Sequence, residues 1–196
     1  TPGDLPAAEG GVYNGSPFGV TEDAVAYVDG SPVDYVANIV YTYYDAKTET
    51  PLEGAPSAAG TYMVVARAAA TNNYDNGAGE DIVWQAVKFV IEAADIEYSV
   101  EGYEGVYDGA AHNFALRSAS AVGGSEITWE YGTQKGEYTS AMPSFTDHGT
   151  HVFFVRLTAE NHKEAVVEVA VTIAQREVEI VWSNNGGSYT YGYTNQ

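Results

Sequence analysis

Along most of this chain, apolar and polar residues alternate with a period of two. In THVFFVRLT, His151, Phe153, Val155 and Leu157 fall on one face, and Val152, Phe154, Arg156 and Thr158 on the other. In VEVAVTI, Val167, Val169, Val171 and Ile173 face one way, and Glu168, Ala170 and Thr172 the other. Successive side chains of a strand point to opposite faces, whereas a helix needs apolar spacing near 3.6. The two segments therefore predict a hairpin closed through AENHKEA. A third strand carries large apolar residues at alternate positions, as Ile39, Tyr41 and Tyr43 early in the chain and as Ile127, Trp129 and Tyr131 later. The predicted fold is all-β, a tandem of immunoglobulin-like β-sandwich repeats, with small β-grasp-like domains as the alternative.

Self-comparison supplies the tandem. GGVYNGSP around Tyr13, Asn14 and Gly15 matches EGVYDGAAH around Tyr107, Asp108 and Gly109. Asn-Gly and Asp-Gly form turns readily because both residues tolerate positive φ. PSAAGTYMVVAR at 56–67 matches PSFTDHGTHVFFVR at 143–156, with Gly60 and Gly149 each followed seven residues later by Arg67 and Arg156. Ile91 and Ile173 close the two units. The pattern then begins again in SNNGGSYTYGYTNQ. Four segments follow: a linker over 1–10, one repeat over 11–94, a second over 95–175, and the start of a third, truncated repeat over 176–196. The first repeat is longer through TNNYDNGAGED at 71–81, a predicted surface loop. IEAADIEYSV and IAQREVEIVW join the segments without a Gly, Pro or Ser run, which predicts a stiff end-to-end arrangement.

Composition narrows the partners. Sixteen Tyr and 21 Gly against two Met suit strands and turns. The net charge of −19 repels phosphate backbones and anionic lipid, so neither nucleic acid nor a membrane surface is an expected partner. With no cysteine, disulfides and thiolate metal sites are excluded. No run of 18 apolar residues and no basic-then-apolar start appears, so no membrane span or signal peptide is expected in this segment.

Candidate chemistry is sparse. His148 and His151 flank a turn, while His162 lies 11 residues beyond His151, roughly 30 Å or more along an extended strand, so a shared metal is not expected. His112 follows the Tyr-Asp-Gly turn. Asn73, Asp75, Glu80 and Asp81 offer oxygen ligands for Ca²⁺, but the loop lacks the helices and twelfth-position Glu of an EF-hand. No G-x-S-x-G, H-E-x-x-H or P-loop occurs. Neither catalysis nor a cofactor is predicted. Exposed aromatic rings stack on sugars and enrich interfaces. Adjacent Tyr43 and Tyr44 must point to opposite faces, and with Tyr74 they are the candidate ligand contacts. Lys88 and Lys163 do not occupy matching places, so an isopeptide cross-link is not expected.

The combination of VYDGAAH, a Pro…Gly-Thr-Tyr/His strand, a closing Val-x-Ile strand and an immediate restart resembles the MBG/YDG-type immunoglobulin-like repeats of bacterial cell-surface proteins and adhesins. The resemblance covers nearly the whole chain from about Gly10 onward. It implies an extracellular module of a Gram-positive-type surface protein, wall-anchored or carried by a lipoprotein. Such a module serves as a monomeric stalk whose partners are neighbouring repeats, or alternatively as a glycan- or host-protein-binding module using exposed Tyr or Trp patches. It carries over no catalytic residue. The D-x-G-x-Y turn of such domains also resembles a tyrosine corner, with Tyr62 in place in the first repeat and His151 standing there in the second.

Overall fold

The computed structural model describes residues 4–33, 39–71, 75–76, 78–184 and 187–191. The chain divides into two compact units. Unit 1 comprises Thr1–Ile96 together with the segments Ala121–Ile127 and Thr158–Glu164; unit 2 comprises Glu97–Ser120, Thr128–Leu157 and Ala165–Gln196.

The first nine strands are β1 (Ala7–Glu9), β2 (Gly11–Val12), β3 (Gly19–Glu22), β4 (Ala26–Val28), β5 (Ser31–Val33), β6 (Val40–Asp45), β7 (Gly60–Ala68), β8 (Ile82–Val83) and β9 (Val87–Glu92). The main sheet of unit 1 runs β2-β9-β7-β6, with β8 pairing the far end of β7. Alternation along β7 puts Tyr62, Val64, Ala66 and Ala68 inward. A second layer lies across that face: Ala8 of β1 and Val20 of β3 pack on Tyr62, Val64, Phe89 and Ile91. Trp84 centres a further cluster with Ala24, Ala26, Ala66, Ala68 and Ile82. The tract expected to be a linker, 1–10, contributes β1 and a fully buried Pro6, because Ala8 completes this apolar face.

The remaining strands are β10 (Glu97–Gly102), β11 (Glu104–Val106), β12 (Phe114–Ser120), β13 (Thr128–Gln134), β14 (Glu137–Thr139), β15 (Gly149–Thr158), β16 (Ala165–Ala174), β17 (Ile180–Asn184) and β18 (Gly187–Tyr191). Five of them form a sheet in the order β11-β16-β15-β13-β14, and β15 and β16 make the hairpin the alternation predicts, from Gly149 opposite Ile173 to Leu157 opposite Ala165. Their buried faces carry Phe153, Val155 and Leu157 against Val169, Val171 and Ile173. The β10–β12 ribbon covers the sheet, with Phe114 set edge-on to Phe153 at 5.3 Å. Strands β17 and β18, in the segment expected to start a third repeat, pair as an antiparallel hairpin.

Each unit is thus a two-layer, all-β sandwich of immunoglobulin-like kind. A β-grasp packs its sheet on a helix, whereas the described residues hold no α-helix, only a 3₁₀ turn at Val122–Gly124. The two sheets share a register. Gly11 of β2 lies parallel and opposite Ile91, which faces Gly60 on its other side; Gly105 of β11 lies parallel and opposite Ile173, which faces Gly149.

Candidate functional site

The Tyr-Asn/Asp-Gly turns are fixed by the same bonds in both units. Tyr13 N donates to Glu92 O at 2.8 Å, and Tyr107 N to Ala174 O at 2.8 Å. Asn14 Oδ1 accepts from Ser16 N and Asp108 Oδ1 from Ala110 N, each at 2.8 Å, and Gly15 and Gly109 take φ of 81° and 82°. Phe18 N then donates to Pro56 O, and His112 N to Phe145 O. Where unit 1 has Phe18, unit 2 has His112, stacked on Tyr103 at 3.7 Å and donating through Nε2 to Asp108 Oδ1 at 2.9 Å.

The Ala110 N–H, and after it His112, hold the Asp108 carboxyl below its ordinary value of 3.8. A depressed folded pKa stabilises the fold above the unfolded value, and that contribution is lost as pH falls through the folded one. The unit 2 turn should therefore loosen as pH falls below about 3.8, while the unit 1 turn, held by the amide of Asn14, should not respond. Amide shifts of Ala110 and Ser16 followed from pH 6 to pH 2 test this. Asp108→Asn should abolish the Ala110 transition, and a transition that persists in that variant would rule the assignment out.

The corner bond survives replacement of its ring. Tyr62 Oη donates to Ala58 O at 2.9 Å, and His151 Nε2 donates to Asp147 O at 2.9 Å, each reaching four residues back. Phe145 stacks on the imidazole at 4.6 Å. His151→Tyr should consequently leave stability unchanged within about 0.5 kcal/mol, whereas His151→Ala should cost about 1 kcal/mol for the lost bond. Urea melts of both variants test this; equal losses would show that the bond contributes nothing.

The other candidates are dispersed. Tyr43 packs on the unit 1 core edge-on to Phe89, and its Oη accepts from Val20 N at 3.2 Å. Tyr44 lies on the opposite face, half-buried and bridged to Pro51. Tyr74 and Asn73 lie outside the described residues. Asp81 accepts from Arg67 Nε at 2.7 Å and from Ala70 N at 2.8 Å; these two groups hold its carboxyl below 3.8, the Ala70 N–H chiefly. Glu80 is tied to Asn76, whose Oδ1 also caps Ala78 N. Asp75 has an interaction of its own. Among the described residues no group of three His, Asp or Glu is arranged to hold a metal ion.

The most built surface is one that pattern reading does not single out, an end of unit 1 closed by the 158–164 segment. Ala94 N donates to Asn161 O at 3.0 Å, and Lys163 N donates to Ala94 O at 2.8 Å, a two-bond bridge on either side of His162. Asn161, at a φ of 61°, also turns its Oδ1 to accept from Ala59 N at 2.9 Å. Its left-handed backbone is one that Asn tolerates better than most residues. The His162 ring meets Tyr13 edge-on at 5.4 Å, Nδ1 donates to Glu160 O, and Lys163 Nζ reaches Asp95 at 3.1 Å. Tyr13 is 8% exposed and Ile96 5%. At Gly15 a Cβ would stand 2.9 Å from Gly123 Cα, so that position admits only glycine without a shift. The sequence signal was present in Asn161-His162-Lys163, but as a hairpin tip it reads as solvent-exposed.

No family model matches the chain, and no curated protein sequence is similar to it. A solved structure of Sidekick-1 immunoglobulin domains 1-5 is similar at a TM-score of 0.31 and 13% identity, over 87% of this chain and 40% of that one. The chain thus spans less than half the length of that immunoglobulin-domain structure. No helix among the described residues is long and apolar enough to cross a membrane.

Proposed function

We infer that the chain is a non-catalytic stretch of tandem MBG/YDG-type repeats from an extracellular bacterial surface protein, serving as a stalk that carries other domains. The observation that supports this reading best is the bond-for-bond equivalence of the two units: the parallel Gly11–Ile91 and Gly105–Ile173 pairings, the turn bonds at Tyr13 and Tyr107, and the corner bonds at Tyr62 and His151. Equivalence extends to framework bonds and stops at potential ligand groups. Arg67 pairs with Asp81 but Arg156 with Glu130, and the Asn73–Asp81 loop belongs to the first repeat alone. A repeated binding site would repeat its contacts; a repeated strut need repeat only its frame.

Binding by an aromatic patch requires equivalent rings to be open in both units. Tyr13 is closed where Tyr107 is open, and Trp84 is buried, so that reading is the weaker one. Protease shaving of intact producing cells, with mass spectrometry of the released peptides, tests the surface location; peptides from this chain seen only after lysis would refute it. A glycan array and a mucin pull-down, both expected blank, test the stalk against the binding module.

A further inference from the structure

The shared register lets the closed end of unit 1 be located in unit 2. Tyr13 corresponds to Tyr107 through the same turn bond, and Gly15 to Gly109. The Ile91–Ile173 equivalence carries Ala94, Asp95 and Ile96 onto Arg176, Glu177 and Val178. Chemistry is kept where side chains are used in unit 1: a tyrosine for His162, an acid for Lys163, a β-branched aliphatic in place of Ile96. It is not kept at Ala94, which bonds through its backbone alone and so tolerates an arginine in its place.

Burial is reversed. Tyr107 is 43% exposed and Val178 69%, against 8% and 5% for Tyr13 and Ile96, and a Cβ on Gly109 would meet nothing within 4 Å. A strongly exposed valine between Glu177 and Glu179 has no role in the unit 2 core.

We propose that Tyr107, Gly109 and Arg176–Val178 form a docking surface for a further repeat following unit 2 in the same polypeptide, whose hairpin tip presents counterparts of Asn161, His162 and Lys163. The direction follows from unit 1, where the tip that closes the end comes from later in the chain. Charge is complementary, since the incoming lysine meets Glu177 as Lys163 meets Asp95. The backbone bridge at Arg176 makes the contact tolerant of sequence drift, and the Tyr–His contact gives it register. The proposal rests on the tandem-repeat reading and specifies how successive repeats engage.

The test extends the chain. The same 82-residue offset sets Gly187, Tyr189 and Asn195 opposite Gly105, Tyr107 and Asn113, so residues 115–175 appended after Gln196 complete a further repeat. Zero-length carbodiimide cross-linking of the parent chain should give the Lys163–Asp95 link; the extended chain should add a link from the appended lysine to Glu177, and nitration of Tyr107 should slow to the rate of Tyr13. A cooperatively folded extension with no Glu177 link and unchanged Tyr107 nitration would overturn the docking while leaving the tandem reading standing. A cyclic peptide of residues 158–164 added to the unaltered chain gives an independent measure should the extension not fold. Amide shifts at Arg176–Val178 support the proposal, and their absence at millimolar peptide overturns it.

Discussion

Replacing Trp84 by alanine should lower the stability of the chain by about 4 kcal/mol, the range for removing a large buried aromatic ring. The indole is 1% exposed, donates from Nε1 to Val25 O at 3.2 Å, and stands among Ala24, Ala26, Ala66 and Ala68. Alanines have no longer rotamer with which to refill the space, and those of β7 are held in ladders, Ala66 opposite Tyr41 of β6 and Ala68 opposite Ile82 of β8, so the cavity should remain open. Unit 2 shows the alternative packing: at the places of Ala66 and Ala68 on β7, strand β15 carries Val155 and Leu157. The triple variant Trp84→Ala, Ala66→Val, Ala68→Leu should therefore recover part of the loss. Urea denaturation of the two variants decides it; a Trp84→Ala loss under about 1 kcal/mol would mean that the cluster relaxes around the gap.

Gly102→Ala should cost about 3 kcal/mol, at the upper end for overpacking, because the clash is with backbone. A Cβ at Gly102 would lie 1.7 Å from Ala170 O and 2.8 Å from its carbonyl carbon, where β10 passes β16. No rotamer change relieves an overlap with a carbonyl inside a β-ladder, so the ribbon itself must move. Gly54→Ala is the matched control: nothing lies within 4 Å of that Cβ, and a change within about 0.5 kcal/mol is expected. Thermal melts of both proteins test the pair, and equal melting temperatures would contradict the close approach.

The alternation of Phe153, Val155 and Leu157 against Val169, Val171 and Ile173 was legible because both strands are long and one-sided in burial. Trp84 was not. It follows the two-residue strand β8, too short to establish a period, and its partners are alanines that carry little hydrophobic signal. Strand β1 was hidden for a similar reason, its three residues standing among Pro, Ala and Gly that read as linker. At the corner, histidine stands at residue 151 where the resemblance has tyrosine, and the letter alone does not carry the bond: what the fold requires is a ring N–H or O–H at one height above the strand, which imidazole also supplies. The closed end of unit 1 depends on main-chain groups of Ala94, Asn161 and Lys163, and backbone bonding between distant segments leaves no mark in side-chain pattern.

The parallel pairing of the first sheet strand with the last, β2 with β9 and β11 with β16, governs how each unit responds to tension. A pull applied to the two ends of a unit drags these neighbours along their length in opposite directions. Their hydrogen bonds are then loaded in shear and must break together, where an antiparallel terminal pair would unzip one bond at a time. Under extension each unit would resist through these short pairings, and the first point of mechanical failure would be Gly11–Val12 or Glu104–Val106 rather than the long central hairpins.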